Sequence, residues 1–431
     1  MATDPVRQVR EDETDSPYDL NLRKALVRLA AAPPSTDAPY LTVSLDWRPE
    51  GSQPHTRYAR QVFAEQMEKI LADYEPHTLA HDSLTADIER ISGWIDGQVD
   101  PSAQGVFIVA CLNTNVFHAL SLNIPLETRV VVGPTPALTM LGRLAEDHAG
   151  FAVIHADQHD GYIEFFSQAT RERGVSLKGS VLPRLHQQGG FSQRRFQNRA
   201  QEKVDAFARA IAEEARKALE DTPVDMIVLA GDEIMTSALN VAMHQTLKER
   251  VIGIVPVDIR ANTDELLEAV QPLVAETERT QEIEAVQRVN DGQGPGGHAT
   301  AGAEDVLVAL QSGQVMTLVM NDDFHGPGWA DYTLPVYGVG TPPKKHPAGG
   351  EADQIVEVAL EDEIVRLAVQ TGADIEIIHT SVPVETDGDA PIRKSGDDFP
   401  RSEAAQSLDQ LGGVAAILRF ALSDEKSVAE A

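Results

Sequence analysis

Residues 182–215 read LPRLHQQGGFSQRRFQNRAQEKVDAFARAIAEEA, and the change inside this stretch from a proline-led loop to a helix decides how the chain is read. Ser192 stands where an N-cap belongs. Behind it Phe196, Ala200, Val204, Phe207, Ile211 and Ala215 recur at steps of three and four. That spacing predicts a long helix with one apolar face laid on a sheet. Gly189 and Gly190 lie just ahead of the N-cap, and by themselves two glycines there make an ordinary turn. The surroundings are basic. From Arg171 to Lys203 the chain carries Arg171, Arg173, Lys178, Arg184, Arg194, Arg195, Arg199 and Lys203 against Glu172 and Glu202. A charge run is usually a solvated helix face, but this one is a positive window in a chain of net charge -31. Such an acidic total is not the composition of a general nucleic-acid binder, so any contact with phosphates has to be local.

Outward from this stretch the pattern is α/β. On its N-terminal side, FAVIHAD and GYIEFFS read as a hairpin turning at Gln158 to Gly161, and a loop is expected from Gly174 to Gly190. His155, Asp157, His159 and Asp160 fall in that hairpin. Strand alternation sends neighbours to opposite faces and Asp-Gly is explained by turn geometry, so no metal is implied. On the C-terminal side come the strand DMIVLAG, a helix through SALNVAMHQTLKERV, the strand VIGIVPVDI and a helix over 263–279. Before the hairpin, YLTVSLD, VFIVACL and RVVVGP are strands, with helices around 55–74 and 84–95 and at ALTMLGRLAEDH. After a charged helix and the loop NDGQGPGGHATAG, the last third alternates AEDVLVALQSG, QVMTLVM, EDEIVRLAVQTG, ADIEIIH and LGGVAAILRF.

The expected fold class is therefore α/β in three domains. They comprise a tail with a short helix over 1–35, an N-terminal α/β domain over 36–149 and a central mixed-sheet domain over 150–285. A C-terminal α/β sandwich domain follows over 286–424, with a Pro/Gly-rich insertion at 322–353 and a tail at 425–431. The loop before the third domain lacks the Lys-Ser/Thr ending of a phosphate-binding loop. Neither zinc-type spacing nor a Ser-His-Asp order is present, and no cofactor is implied. The single cysteine, Cys111, lies in an apolar run and reads as a buried structural thiol. No apolar run long enough to span a membrane exists and the start is charged, so a cytoplasmic protein is expected.

Three separated segments, in order, resemble the bacterial branch of the archaeo-eukaryotic class I peptide-chain release factor family. Residues 182–215 are similar to its signature, a basic proline-led loop presenting Gly-Gly-Gln and running into a Ser-started helix with spaced Phe and Arg. DMIVLAG resembles the strand after that helix, and AEDVLVALQSGQV and LGGVAAILRF resemble the opening and closing of its C-terminal domain. The family's Asn-Ile-Lys-Ser codon-reading motif is absent, so stop-codon reading is not implied. Aligned on Ser192 and Phe196, Gly189 and Gly190 fall on the family's glycines, Phe191 on its glutamine, and Gln193 two residues later. The resemblance implies Gly189, Gly190, Phe191 and Gln193 as the catalytic element and Lys178, Arg184, Arg194, Arg195 and Arg199 as RNA contacts. It further implies the ribosome with peptidyl-tRNA or ribosomal RNA as partners, and an elongation-type GTPase that meets the third domain. Two functions of different class stay open. One is ribosome rescue by hydrolysis of the peptidyl-tRNA ester, with a positioned water as nucleophile. The other is a non-catalytic hibernation factor of the Balon type, which occupies the vacant tRNA site.

Overall fold

The computed structural model describes residues 6–12, 20–49, 58–147, 150–167, 170–179, 192–220, 224–294, 296–380 and 401–420. In chain order the elements open with β1 (Val6–Asp12), α1 (Leu20–Ala30) and β2 (Tyr40–Asp46). Next come α2 (Tyr58–Ala72), α3 (Leu79–Gly97), β3 (Gly105–Cys111), β4 (Val116–Leu122), β5 (Arg129–Gly133) and α4 (Thr139–Asp147). The hairpin β6 (Phe151–Ala156) and β7 (Asp160–Ser167) is followed by β8 (Thr170–Gly179) and α5 (Ser192–Glu220). Then β9 (Met226–Gly231), α6 (Glu233–Ala242), α7 (Gln245–Lys248), β10 (Val251–Val255) and α8 (Thr263–Gly292) lead to β11 (Ala299–Ala301). The last third holds α9 (Ala303–Gln311), β12 (Val315–Asn321), β13 (Pro327–Asp331), β14 (Val336–Val339) and β15 (Val356–Ala359). It ends with α10 (Leu360–Gln370), β16 (Asp374–Ile378), α11 (Glu403–Asp409) and β17 (Val414–Leu418).

The architecture is mixed α/β, as the sequence predicts, and it gathers into two compact units. One unit joins Met1–Leu20 to His148–Thr280; the other joins Asn21–Asp147 to Gln281–Ala431. The first is built on a six-stranded sheet of order β1-β8-β7-β6-β9-β10. Strands β6, β9 and β10 run parallel, while β7, β8 and β1 alternate in direction. On one face, Ala152, Ile154, Ile163 and Leu229 pack under Val204, Phe207, Ile211 and Ala215 of α5. On the other, Val153, Phe166 and Val228 meet Leu266, Val270 and Val274 of α8. The expected loop from Gly174 is instead strand up to Gly179, because β8 finds backbone partners on both sides, β7 and β1. The expected helix over 237–251 is split at Met243–His244, and 263–292 is one helix.

The second unit carries the antiparallel sheet β4-β3-β2-β5, the mixed sheet β11-β17-β12-β16 and the small sheet β14-β13-β15. The small sheet accounts for most of the Pro/Gly-rich insertion. Its loop is pinned by His346 and Asp331, both without exposed side-chain surface to speak of at 0% and 1%. His346 Nδ1 accepts the Ala348 N–H (3.1 Å), so Nε2 carries the proton and donates to Asp331 Oδ2 at 2.9 Å. One apolar cluster runs from Leu22, Leu26 and Leu29 of α1 through Leu138, Leu141 and Leu144 to Val306, Leu310, Ile364 and Val365. Val365 Cγ1 lies 3.3 Å from where a Cβ on Gly142 would stand, so α4 and α10 are closely packed. Residues 21–147 and 281–431 thus share a core. The glycines between α8 and β11 suggest a domain boundary near there, but removing residues 286–431 would cut α8 short and bare the apolar surface of α1 and α4. The remainder should bind a hydrophobic dye and aggregate, and light scattering of the purified truncation checks it.

Within α3, Asp87 is fully buried, and its Oδ2 accepts the Leu112 N–H at 3.0 Å. Its Oδ1, and Ser83 Oγ one turn earlier, have no hydrogen-bond partner among the described residues. Desolvation pushes the Asp87 carboxyl up to about 6, against the Leu112 bond and the Arg90 charge. A carboxyl whose pKa is raised on folding stabilises the fold while protonated, and that stability is lost as pH rises from the unfolded value, about 4, past about 6. The cost at pH 7.5 is on the order of 2–3 kcal/mol. Asp87→Asn keeps the acceptor for Leu112 and removes the charge. Urea unfolding should find the variant more stable than the parent at pH 7.5, with the advantage fading towards pH 5.

Candidate functional site

The C-terminal ends of the parallel strands form one rim of the first unit. Three segments meet there: the turn after Ala156, the bend after Gly231 and the stretch after Val255. The β6–β7 turn is closed by Asp157, whose Oδ1 accepts the N–H groups of His159 and Asp160, both at 2.7 Å. Its own N–H donates to the Asp160 carbonyl at 2.9 Å. The carboxylate is therefore occupied as a turn-former. Among the described residues no group of three or more His, Cys, Asp and Glu is placed to hold a metal ion.

Gly231 is the strictest position on the rim. Its φ is +131°, and a Cβ there would stand 1.9 Å from the Ala156 carbonyl oxygen. Only glycine allows β9 to bend this closely across the end of β6. The bend delivers Asp232, whose N–H donates to Ala156 O at 3.3 Å and whose Oδ1 caps α6 through the Met235 N–H at 2.8 Å. Gln158 Nε2 reaches Asp232 Oδ2 at 3.5 Å, tying the hairpin turn to the cap. Behind them His155 is 2% exposed and its Nε2 has no partner among the described residues. Burial pushes its imidazole below the usual range, opposed by hydrogen bonds to the Val257 and Asp258 backbone. His155 is thus a neutral ring that knits β6 to the chain leaving β10.

This rim is where the sequence-derived element attaches. Lys178 is paired with Asp160 at the start of β7, so β8 ends at the same edge as the β6–β7 turn. Across the sheet, α5 packs close enough that a Cβ on Gly161 would meet Ile211 Cδ1 at 2.8 Å. Ser192 lies about 22 Å along the helix axis from Phe207, at ~1.5 Å per residue. Of the implied residues, Arg184, Gly189, Gly190 and Phe191 lie outside the described residues. Gln193, Arg194, Arg195 and Arg199 belong to the first turns of α5 and Lys178 to β8, with their side chains outside the described set. Sequence reasoning passed over Gly231 and Asp232. The signal was there: an Asp after the apolar run MIVLAG and before a helix is an N-cap in waiting.

Residues 136–273 match the family described as "Bacterial archaeo-eukaryotic release factor family 10". This segment belongs to that release-factor family. It spans the hairpin, the rim, the Gly189–Gly190 stretch and all of α5. Among curated proteins the chain is similar to peptide chain release factor subunit 1 of Archaeoglobus fulgidus, 25% identical over 258 residues, 56% of this chain and 58% of that protein. The same-named protein of Methanopyrus kandleri is 28% identical over 200 residues, 44% of this chain and 47% of that one. The chain thus spans roughly half to three-fifths of the length of these relatives. Among solved structures it is similar to S. cerevisiae Dom34, a translation termination-like factor, with 14% identity, 72% of this chain and 75% of that chain covered and a TM-score of 0.39.

The rim makes a direct prediction. Gly231→Ala places a methyl on the Ala156 carbonyl in a backbone region closed to alanine, at a cost of about 2–4 kcal/mol. Hydrogen exchange read by mass spectrometry should quicken in 151–156 and 226–231, and stay unchanged in β2 and β3 of the other unit.

Proposed function

We propose that this protein is a release-factor-like ribosome-binding protein that hydrolyses the peptidyl-tRNA ester on stalled ribosomes without reading a stop codon. The observation that carries the reading is the family match over 136–273, which encloses the Gly-Gly stretch and the helix behind it. In this reading Gly189 and Gly190 permit close approach to the tRNA end. The Phe191 N–H and the Gln193 amide position water and stabilise the developing oxyanion. Lys178, Arg184, Arg194, Arg195 and Arg199 hold ribosomal RNA phosphates, a local contact that the chain's acidic total does not oppose at short range. The protein works in the cytoplasm, needs no cofactor, and is delivered by an elongation-type GTPase that meets its C-terminal part.

One observation favours a second reading. Phe191 occupies the position of the family's glutamine, and an aromatic ring there suits stacking on a base. The chain would then be a hibernation factor that fills the vacant tRNA site.

Release and occupancy measured side by side separate the two. On the hydrolase reading, Gln193→Ala lowers single-turnover release of labelled peptide about 10- to 1000-fold, the scale of one well-placed catalytic hydrogen bond. Occupancy barely changes, and Phe191→Gln keeps or raises release. On the hibernation reading the parent releases nothing above the spontaneous rate, Phe191→Ala loses occupancy, and Gln193→Ala is silent. Both readings require that changing Arg194, Arg195 and Arg199 together to Glu abolishes co-sedimentation with ribosomes. A triple variant that pellets like the parent overturns the RNA-binding assignment.

A further inference from the structure

The second unit holds a cavity of about 360 Å³ between the segment leaving β5 and the small sheet. Its walls are mostly apolar and backbone, with Val131, Pro134, Pro327, Pro342 and Val358 among them, and Asp362, Glu363 and the exposed Glu357 also line it. Glu363 is fully engaged. Its Oε1 accepts Thr135 Oγ1 at 2.8 Å and the Tyr332 hydroxyl at 2.5 Å, and its Oε2 pairs with Arg366 at 2.7 Å. Asp362 is engaged on one side only. Its Oδ1 accepts both the N–H and the hydroxyl of Thr139, at 2.9 and 2.6 Å. Its Oδ2 receives no hydrogen bond among the described residues and lies on the wall of the cavity, although the residue as a whole is only 8% exposed. A carboxylate oxygen with no protein donor beside a cavity is free to accept one from a ligand.

The charges around it do not close the account. Glu361, Asp362 and Glu363 stand at the start of α10, and the guanidiniums beside them are Arg366 on Glu363 and Arg129, 4.0 Å from Glu361. With Glu357 on the cavity wall, four carboxylates face two guanidiniums, so the surroundings are net negative. Burial accordingly raises the Asp362 carboxyl, countered by the Thr139 bonds and the more distant Arg129. The volume is at the small end of the range for small-molecule sites and ample for one side chain or an amine of a few carbons.

We propose that this cavity receives a single aliphatic cation, a guanidinium or ammonium on a short apolar stem, with Asp362 Oδ2 as its acceptor. The walls cover the stem and the free oxygen takes the charged head in a charge-assisted hydrogen bond. The cation comes either from a free small amine or guanidine, or from a Lys or Arg side chain of a partner polypeptide. This inference stands on the second unit alone and holds whichever reading of the Gly-Gly element is correct.

The test uses the full chain, with agmatine as the free cation, the capped peptide acetyl-Gly-Arg-Gly-amide as the presented one, and 1-pentanol as the neutral stem. Calorimetry at constant ionic strength and methyl NMR of Val131 and Val358 report binding. Saturable binding of a cation in the millimolar range, with those methyls shifted and pentanol at least tenfold weaker, is expected. Asp362→Asn, which keeps the Thr139 acceptor but turns the free oxygen into a donor, should weaken binding at least tenfold. Val358→Phe, which narrows the cavity and leaves the carboxylate in place, should do the same. Tighter binding of the peptide assigns the site to a partner's side chain, and tighter binding of agmatine to a free cation. Absence of binding by both up to 20-fold above a millimolar, or Asp362→Asn binding like the parent with unchanged thermal stability, overturns the proposal.

Discussion

Burying charge at the start of α10 is the constraint on which the second unit depends. Glu361, Asp362, Glu363 and Arg366 are all buried in one helical turn and a half, and charges in that position demand partners from elsewhere. The partners come from the other end of the chain. Thr135 and Thr139 supply donors, and Asp362 caps the first N–H of α4 in return. Arg143 reaches Asp322 at 3.2 Å, and Gln370 donates to the Ala30 carbonyl at 2.6 Å. Each of these bonds fixes register as well as adding energy, because a hydroxyl or an N–H displaced by one residue would leave a carboxylate stranded. Apolar contacts between α1, α4, α9 and α10 supply the bulk of the attraction; the polar bonds decide the fit.

The first unit solves a different problem. Its parallel strands must all end at one rim, from which a long segment departs and a 29-residue helix returns. Gly231, Asp232, Asp157 and His155 make that rim stiff by using backbone groups as partners, so few side chains there remain free for chemistry. The rim is a mount: the strand ends from which the chain departs are tied together by backbone hydrogen bonds.

Much of this was legible in advance. The strands MIVLAG and VFIVAC, the hairpin over 151–167 and the helix from Ser192 follow from apolar spacing and turn residues, which are local signals. What escaped was set by distant partners. β8 has no alternating apolar pattern, and it is strand because β7 and β1 supply hydrogen bonds on both edges. The sheet of the insertion hangs on a His346–Asp331 bond across a 15-residue gap that no periodicity announces. The Gly-Gly stretch and its neighbours were singled out by composition and family resemblance. Gly231, a single glycine at the end of an apolar run, looked like any strand stop until its closeness to Ala156 O was known.

The discontinuity of the second unit bears on how the protein is made. A chain that folds as it leaves the ribosome completes 21–147 long before 281–431 exists, and the whole of 148–280 is threaded between them. At a synthesis rate of ~5–20 residues per second the wait is on the order of ten seconds. Throughout it, the apolar sides of α1 and α4 face water, because the helices that cover them have not been translated. The first unit, apart from its edge strand β1, is contiguous in sequence and has no such delay. The nascent chain therefore acquires its middle before its flanks, and the half-made flank is the stage at which a chaperone has the most to hold.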